Sequence, residues 1–263
     1  MKFSQIVLIK GAGDLASGIG HKLFQSGFPV VMTDLQHPTA IRRTVSFSSA
    51  ILEKQYTIEN VVAEHALHFE QVQQIIQQNK IAVITDPLCQ ILQQLRPHIF
   101  IEATISKKNT GIHLTDASIV LGIGPGYTAP QDCHAVVETK RGHHLGRVYY
   151  QGSALPNTGI PGNIEGFTKE RLLLSPCQGI FKTERNIADK VQQGDVIATV
   201  QNQPLVAPIS GVIRGLLAHG TPVEKNMKSG DIDPRNEVSY CFTISDKARA
   251  IAGGVLEAIL HLL

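Results

Sequence analysis

The stretch "KGAGDLASGIG", residues 10 to 20, follows the apolar run "IVLI" at 6 to 9 and decides how the first half of the chain is read. Gly11 and Gly13 stand where a buried strand would turn into a helix. A missing Cβ there lets backbone N–H groups approach a phosphate at the helix N-terminus. Ala16 fills a third small position, and Asp14 is read as the cap of a helix starting near Leu15. Asp34 ends the next apolar run, 21 residues after Gly13, where a carboxylate could accept ribose hydroxyls. Gly11, Gly13, Asp14, Leu15, Ala16 and Asp34 are therefore the expected nucleotide contacts. Arg42 and Arg43, just beyond, could clamp a phosphate or a carboxylate, or lie on a solvated helix face. A tight turn without a ligand stays open as the plainer reading of the glycines.

Outward from this turn, the runs "PVVMTD", "IAVITD", "IFIEAT" and "SIVLGI" alternate with segments of helical spacing such as "ASGIGHKLFQSG" and "FEQVQQIIQQN". Short buried strands alternating with helices predict a Rossmann-like parallel sheet covered on both faces. A second glycine cluster follows, "GIGPGYTAPQDCHAVVETKRGHHLGRV" from 122 and "GSALPNTGIPGNIEG" from 152, and predicts ligand-binding loops. Within them "HAVVET" alternates like a strand, so His134 and Glu138 share a face. They could be an acid/base pair, metal ligands or a satisfied structural contact. No metal site is expected. His143 and His144 cannot both point one way along a strand, and "HALH" at 65 to 68 reads as surface.

From residue 176 short alternating strands repeat: "PCQGIFKTERNIADKV" (176 to 191) matches "PISGVIRGLLAHGTPV" (208 to 223) without gaps. Two copies of one β unit imply a small pseudo-twofold sandwich. The pattern resembles the biotinyl/lipoyl-type barrel-sandwich hybrid, although its hairpin, "VQNQPLV", lacks the modifiable Lys. The expected division is 1–168, a Rossmann-like nucleotide-binding domain with glycine-rich loops, and 169–263, the barrel with a C-terminal helix. Ser245 would cap that helix, and Ile251, Val255, Leu256, Ile259 and Leu260 would bury on the first domain, the barrel or a second subunit of a homo-oligomer.

Composition bounds the function. Over 263 residues the formal net charge is +2, and the basic runs are as short as "IRR" and "SKKN", which gives no nucleic-acid footprint. Apolar stretches such as "AIAGGVLEAILHLL" fall short of the ~20 residues that span a bilayer. A cytoplasmic protein is expected. Cys89, Cys133, Cys177 and Cys241 form no CxxC and read as reduced thiols, with Cys133, beside His134, the one candidate nucleophile.

Seven segments in order, "GAGDLASGIG", "PTAIRRTVSFSSAI", "TISKKNTG", the glycine loop from 122, "NTGIPG", "DIDPR" and "SDKARAIAGGVLEAIL", resemble the YqeB-type family of accessory proteins of selenium-dependent molybdenum hydroxylases. Lys10, where Arg is expected, and "LEKQYTIENV" depart from its pattern. The resemblance implies a role in molybdenum cofactor biosynthesis or hydroxylase maturation. It implies a pterin dinucleotide on the Gly11–Gly13 turn, gripped by Arg42, Arg43 and the loops bearing Gly124, Gly126, His134, Arg141, His143 and Asn157. Partners would be the hydroxylase or cofactor-insertion proteins, docked through the barrel, and Cys133 could handle sulfur or selenium. The alternatives are an NAD(P)-dependent oxidoreductase with His134 or His143 as proton donor, and a scaffold that binds only a protein. Whether any reaction is catalysed stays open at this point.

Overall fold

A computed structural model describes residues 2–159 and 162–263, and the chain folds into two compact units. The first comprises the chain up to Pro38, Ser46–Thr158 and Ile244–Leu263; the second comprises Thr39–Val45 and Gly159–Thr243. This division departs from a cut at 168. The segment bearing Arg42 and Arg43 joins the second unit, and the C-terminal helix returns to the first.

In the first unit the apolar runs become strands β1 (Val7–Lys10), β2 (Val30–Asp34), β3 (Gln55–Ile58), β4 (Val61–Ala66), β5 (Ile81–Thr85), β6 (Ile99–Glu102) and β7 (Ile119–Ile123). After them come the short β8 (Thr128–Ala129), β9 (Ala135–Val137), β10 (Val148–Tyr149) and β11 (Gly152–Ser153). The helices are α1 (Asp14–Ser26), α2 (Ser49–Glu53), α3 (Phe69–Gln77), α4 (Ile91–Leu95) and α5 (Asp246–Leu262). Nine strands form one sheet in the order β10-β9-β7-β6-β1-β2-β5-β4-β3, while β8 and β11 pair separately.

The sheet corrects the expected Rossmann-like parallel fold. Its interior pairs are parallel, but β3 lies antiparallel to β4 at one edge and β10 antiparallel to β9 at the other, so the sheet is mixed. The cause at the β3–β4 edge is local. Glu59 and Asn60, both at positive φ (43° and 69°), make a two-residue turn, and so short a connection can join only antiparallel neighbours.

The chain builds β2 to β5 on one side of β1 and then crosses back to lay β6, β7 and β9 on the other. Strand order therefore reverses at β1, and in open α/β sheets the crevice outside the carboxyl ends of the strands at such a point is where ligands bind. On one face Val7, Ile9, Val30 and Met32 pack with Ile19 and Leu23 of α1 and Ile251, Val255 and Ile259 of α5. On the other, Leu8, Val31, Phe100 and Val120 pack with Val72 and Ile75 of α3 and Ile91 of α4. Ser245 caps α5 through the Ala248 N–H (3.2 Å). Leu256 of the expected stripe is partly buried and Leu260 is exposed.

The second unit corrects the expected barrel-sandwich hybrid: it holds two four-stranded antiparallel sheets around a core that includes Phe181, Ile197, Val212, Ile213 and Ile232. The internal repeat is visible in the register. Gly179 of the first copy pairs with Val223 of the second, and Gly211 of the second, 32 residues after Gly179, pairs with Val191 of the first. Each copy thus lends the other a strand.

Candidate functional site

The β1–α1 turn is held by the protein's own groups. Gly11 has φ +105°, and a Cβ on it would lie 3.0 Å from the Ala103 carbonyl oxygen just past β6, so only glycine fits without strain. The Asp34 carboxylate accepts the N–H groups of Ala12 (2.9 Å) and Leu35 (2.7 Å). The Ala12 carbonyl accepts the Ser17 hydroxyl (3.0 Å) and the Ser48 N–H (3.0 Å). Burial raises the pKa of Asp34 above the ordinary aspartate value, against the pull of its two backbone donors. Asp34 therefore clamps the turn. The helix begins at Asp14, one residue earlier than expected, with Gly13 as N-cap, while Ala16 is buried and Leu15 partly so.

The residues expected to form a second cluster have separate occupations. His134 Nδ1 accepts the Val120 N–H (3.0 Å). Glu138, fully buried, accepts the N–H groups of Thr139 (2.8 Å), Lys140 (2.7 Å) and Leu155 (2.8 Å). The two therefore serve as backbone clamps and make no acid/base pair. Cys133 is fully buried, its thiol donates to the Ala135 carbonyl (3.3 Å), and burial pushes its pKa up to about 12. Burial thus disfavours the thiolate that sulfur or selenium chemistry would use.

The remaining expected residues are also dispersed. Arg141 forms a two-pronged ion pair with Asp246 at the surface (2.7 and 3.0 Å). His143 is exposed beside His144, and Asn157 is exposed. Gly124 and Gly126 bend the loop after β7 at positive φ. In the second unit Arg42 donates to the carbonyls of Tyr240 (2.8 Å) and Thr243 (3.0 Å), and Arg43 donates to that of Leu216 (2.8 Å). Part of the segment "NTGIPG", Ile160 and Pro161, lies outside the described residues. Among those described, no three His, Cys, Asp or Glu side chains gather to hold a metal ion.

A different set of residues converges where strand order reverses. Lys10 at the end of β1 pairs in register with Thr33 of β2 and Glu102 of β6, and Glu102 pairs with Gly122 of β7. Registered neighbours share a face, so Thr33, Lys10 and Glu102 form a polar row on the sheet face that also carries Leu8, Val31 and Phe100. Gly122 makes room for Tyr127, since a Cβ there would stand 2.6 Å from the ring's Cγ. The Tyr127 hydroxyl donates to the fully buried Glu102 carboxylate, which also accepts the Thr104 hydroxyl and the Thr104 N–H (3.2 Å). Burial and the neighbouring Glu102 together raise the Tyr127 pKa well above the ordinary tyrosine value.

Lys10 opens on a cleft of about 320 Å³ bounded by Leu88, Cys89, Gln90 and Gln93 after β5 and by Thr110, Gly111, Ile112 and Asp116 after β6, with Phe100 beside them. Its ammonium donates to Thr110 Oγ1 (3.2 Å), and Thr110 is near enough to the Tyr127 hydroxyl to influence its ionisation. Beside the cleft, Lys10 is hydrogen-bonded to Thr110 and Tyr127 to Glu102. On the cleft wall the Cys89 thiol, pushed by burial up to about 12, is neutral at physiological pH. The sequence carried one signal for this site: "VLIK" and "IFIE" are buried strands that each end in a charge.

No protein-family model matches the chain. It is 44% identical over 259 residues to the uncharacterized protein YqeB of Escherichia coli K12, an alignment that takes in 98% of this chain and 48% of that protein. Among solved structures, an aspartoacylase family protein from Mesorhizobium loti overlaps 88% of this chain and 85% of its own at 9% identity and a TM-score of 0.26. A succinylglutamate desuccinylase/aspartoacylase from Rhodobacter sphaeroides overlaps 86% of this chain and 51% of its own at 11% and 0.21. A succinylglutamate desuccinylase from Silicibacter overlaps 87% and 84% at 11% and 0.25.

The roles expected in hydroxylase maturation and NAD(P)-dependent oxidation are corrected by the structure's own geometry, in which Asp34, His134, Glu138 and Cys133 are each taken up by the backbone around them. Similarity at such TM-scores in turn lends this chain no activity. Among the described residues no helix is long and apolar enough to cross a membrane. The chain is similar to YqeB along nearly its whole length and spans about half the length of the curated relative it matches.

Proposed function

We propose that this chain binds a small molecule in the Lys10 cleft and that the ligand presents an anionic group to Lys10. One observation carries the reading. The Lys10 ammonium has three protons to donate, and among the described residues it gives one hydrogen bond, to Thr110, while lining the cleft at the point where strand order reverses. A carboxylate or phosphate oxygen there would receive a charge-assisted bond from Lys10 with the Thr110 hydroxyl alongside. The supporting row of Thr33, Glu102 and Tyr127 is rigid, because its members sit on strands or pack against them and are at most 1% exposed.

Calorimetric titration of the purified chain with acetate, propionate and inorganic phosphate tests this. At least one of them is expected to bind, and Lys10→Met to weaken it about ten- to hundredfold, because a hydrogen bond to a charged group contributes roughly 1.5–3 kcal/mol. Binding indifferent to Lys10→Met, or no binding of any of the three or of a small amino acid, overturns the reading.

A further inference from the structure

We infer that the cleft selects a small zwitterion of amino-acid size, with its carboxylate at Lys10 and Thr110 and its ammonium at Asp116. The inference rests on the anion-binding reading above and adds the second charge. Asp116, in the short turn Leu114–Asp116, lines the same cleft as Lys10. One of its oxygens, Oδ2, accepts the His113 N–H (2.8 Å), which fixes the carboxylate in place. Among the described residues Oδ1 makes no hydrogen bond. The cleft therefore has a cationic group and an anchored anionic group on its wall. The Cys89 thiol between the segments feels both, Lys10 and Asp116 acting on it in opposite directions, so the two heads lie within electrostatic reach of one wall atom.

A simple carboxylate in so small a space would satisfy Lys10 and leave Asp116 facing a second negative charge. A dicarboxylate would be repelled by Asp116 and by Asp86, whose charge also reaches Cys89. A zwitterion meets both ends. The volume, about 320 Å³, is at the lower limit of ligand sites and suits a molecule of a few heavy atoms. Phe100 and Ile112, each 2% exposed, give it an apolar wall for a short hydrocarbon side chain.

The test compares glycine, alanine and norvaline with the matching acids that lack the amino group, acetate, propionate and pentanoate, by calorimetry at pH 7. In the wild-type chain at least one amino acid is expected to bind ten times more tightly than its partner acid. Asp116→Asn, which keeps an oxygen for the His113 N–H, is expected to abolish that preference while leaving binding of the acid unchanged or stronger. Acids that bind as well as their amino acids, or a preference that survives Asp116→Asn, would sink the zwitterion and leave the anion site standing. If none of the six binds, and phosphate does not bind either, the anion site itself is refuted.

Discussion

Glu102 shows how a buried carboxyl group is satisfied by the chain's own donors. Its carboxylate is fully buried and is held by the hydroxyls of Tyr127 and Thr104 and by one backbone N–H. Taking away one donor leaves a buried acceptor unsatisfied. Tyr127→Phe is accordingly expected to lower stability by roughly 1–3 kcal/mol, measured by urea denaturation. An unchanged midpoint would mean that Tyr127 does not hold Glu102.

The cysteines are a second test at the residue scale. Cys133 and Cys89 are 0% and 5% exposed, and burial pushes both thiols up to about 12. Cys177, by contrast, is only partly buried. Iodoacetamide at pH 8 followed by peptide mass spectrometry is expected to label Cys177 first and to reach Cys133 and Cys89 only when the protein is unfolded. Prompt native labelling of Cys133 would restore it as a reactive thiol.

The β3–β4 turn illustrates what an element adds to its residues. Glu59, in that turn, accepts the Ile244 N–H (2.8 Å) ahead of α5 and an ion pair from Arg249 within it (2.6 and 2.7 Å). The hairpin and the C-terminal helix are tied by one carboxylate. Burial would raise its pKa, but the Ile244 and Arg249 donors prevail and hold it below the ordinary glutamate value of 4.5. A depressed carboxylate contributes stability that is present above its unfolded pKa and lost as pH falls through the folded one. Glu59→Gln is expected to destabilise the protein at pH 7, modestly because Arg249 is half exposed. The gap from wild type should close as pH falls below 4.5. A gap independent of pH would remove the ion pair from the account.

The same hairpin marks a limit of reading elements from sequence. The β1–α1 turn was legible because Gly11 and Gly13 follow an apolar run and the backbone there needs glycine. The β3–β4 turn was not, because Glu59 and Asn60 adopt positive φ without the glycine that normally announces it. "LEKQYTIENV" carries no glycine to mark the turn, and it forms the start of the antiparallel edge.

At the scale of the whole molecule, the internal repeat at 176–191 and 208–223 was legible because its spacing is constant, and it reappears as the reciprocal pairing of Gly179 with Val223 and Gly211 with Val191. The candidate site was not, because its parts are remote in sequence. Lys10, Cys89, Thr110 and Asp116 come from segments on both sides of the reversal in strand order, and only the sheet brings them together. Conversely, His134, Glu138 and Cys133 are close in sequence, and each is used where it stands by the backbone around it. Proximity along the chain suggested a site where folding had assigned clamps.

The central claim, that Lys10 receives an anionic ligand in this cleft, is tested most directly by diffraction from crystals soaked in propionate and, in parallel, in alanine. The account predicts density for a carboxylate within hydrogen-bonding distance of Lys10 Nζ and Thr110 Oγ1, absent from Lys10→Met crystals treated alike. An empty cleft with the soaked molecule ordered elsewhere, or the same density in Lys10→Met crystals, would contradict it.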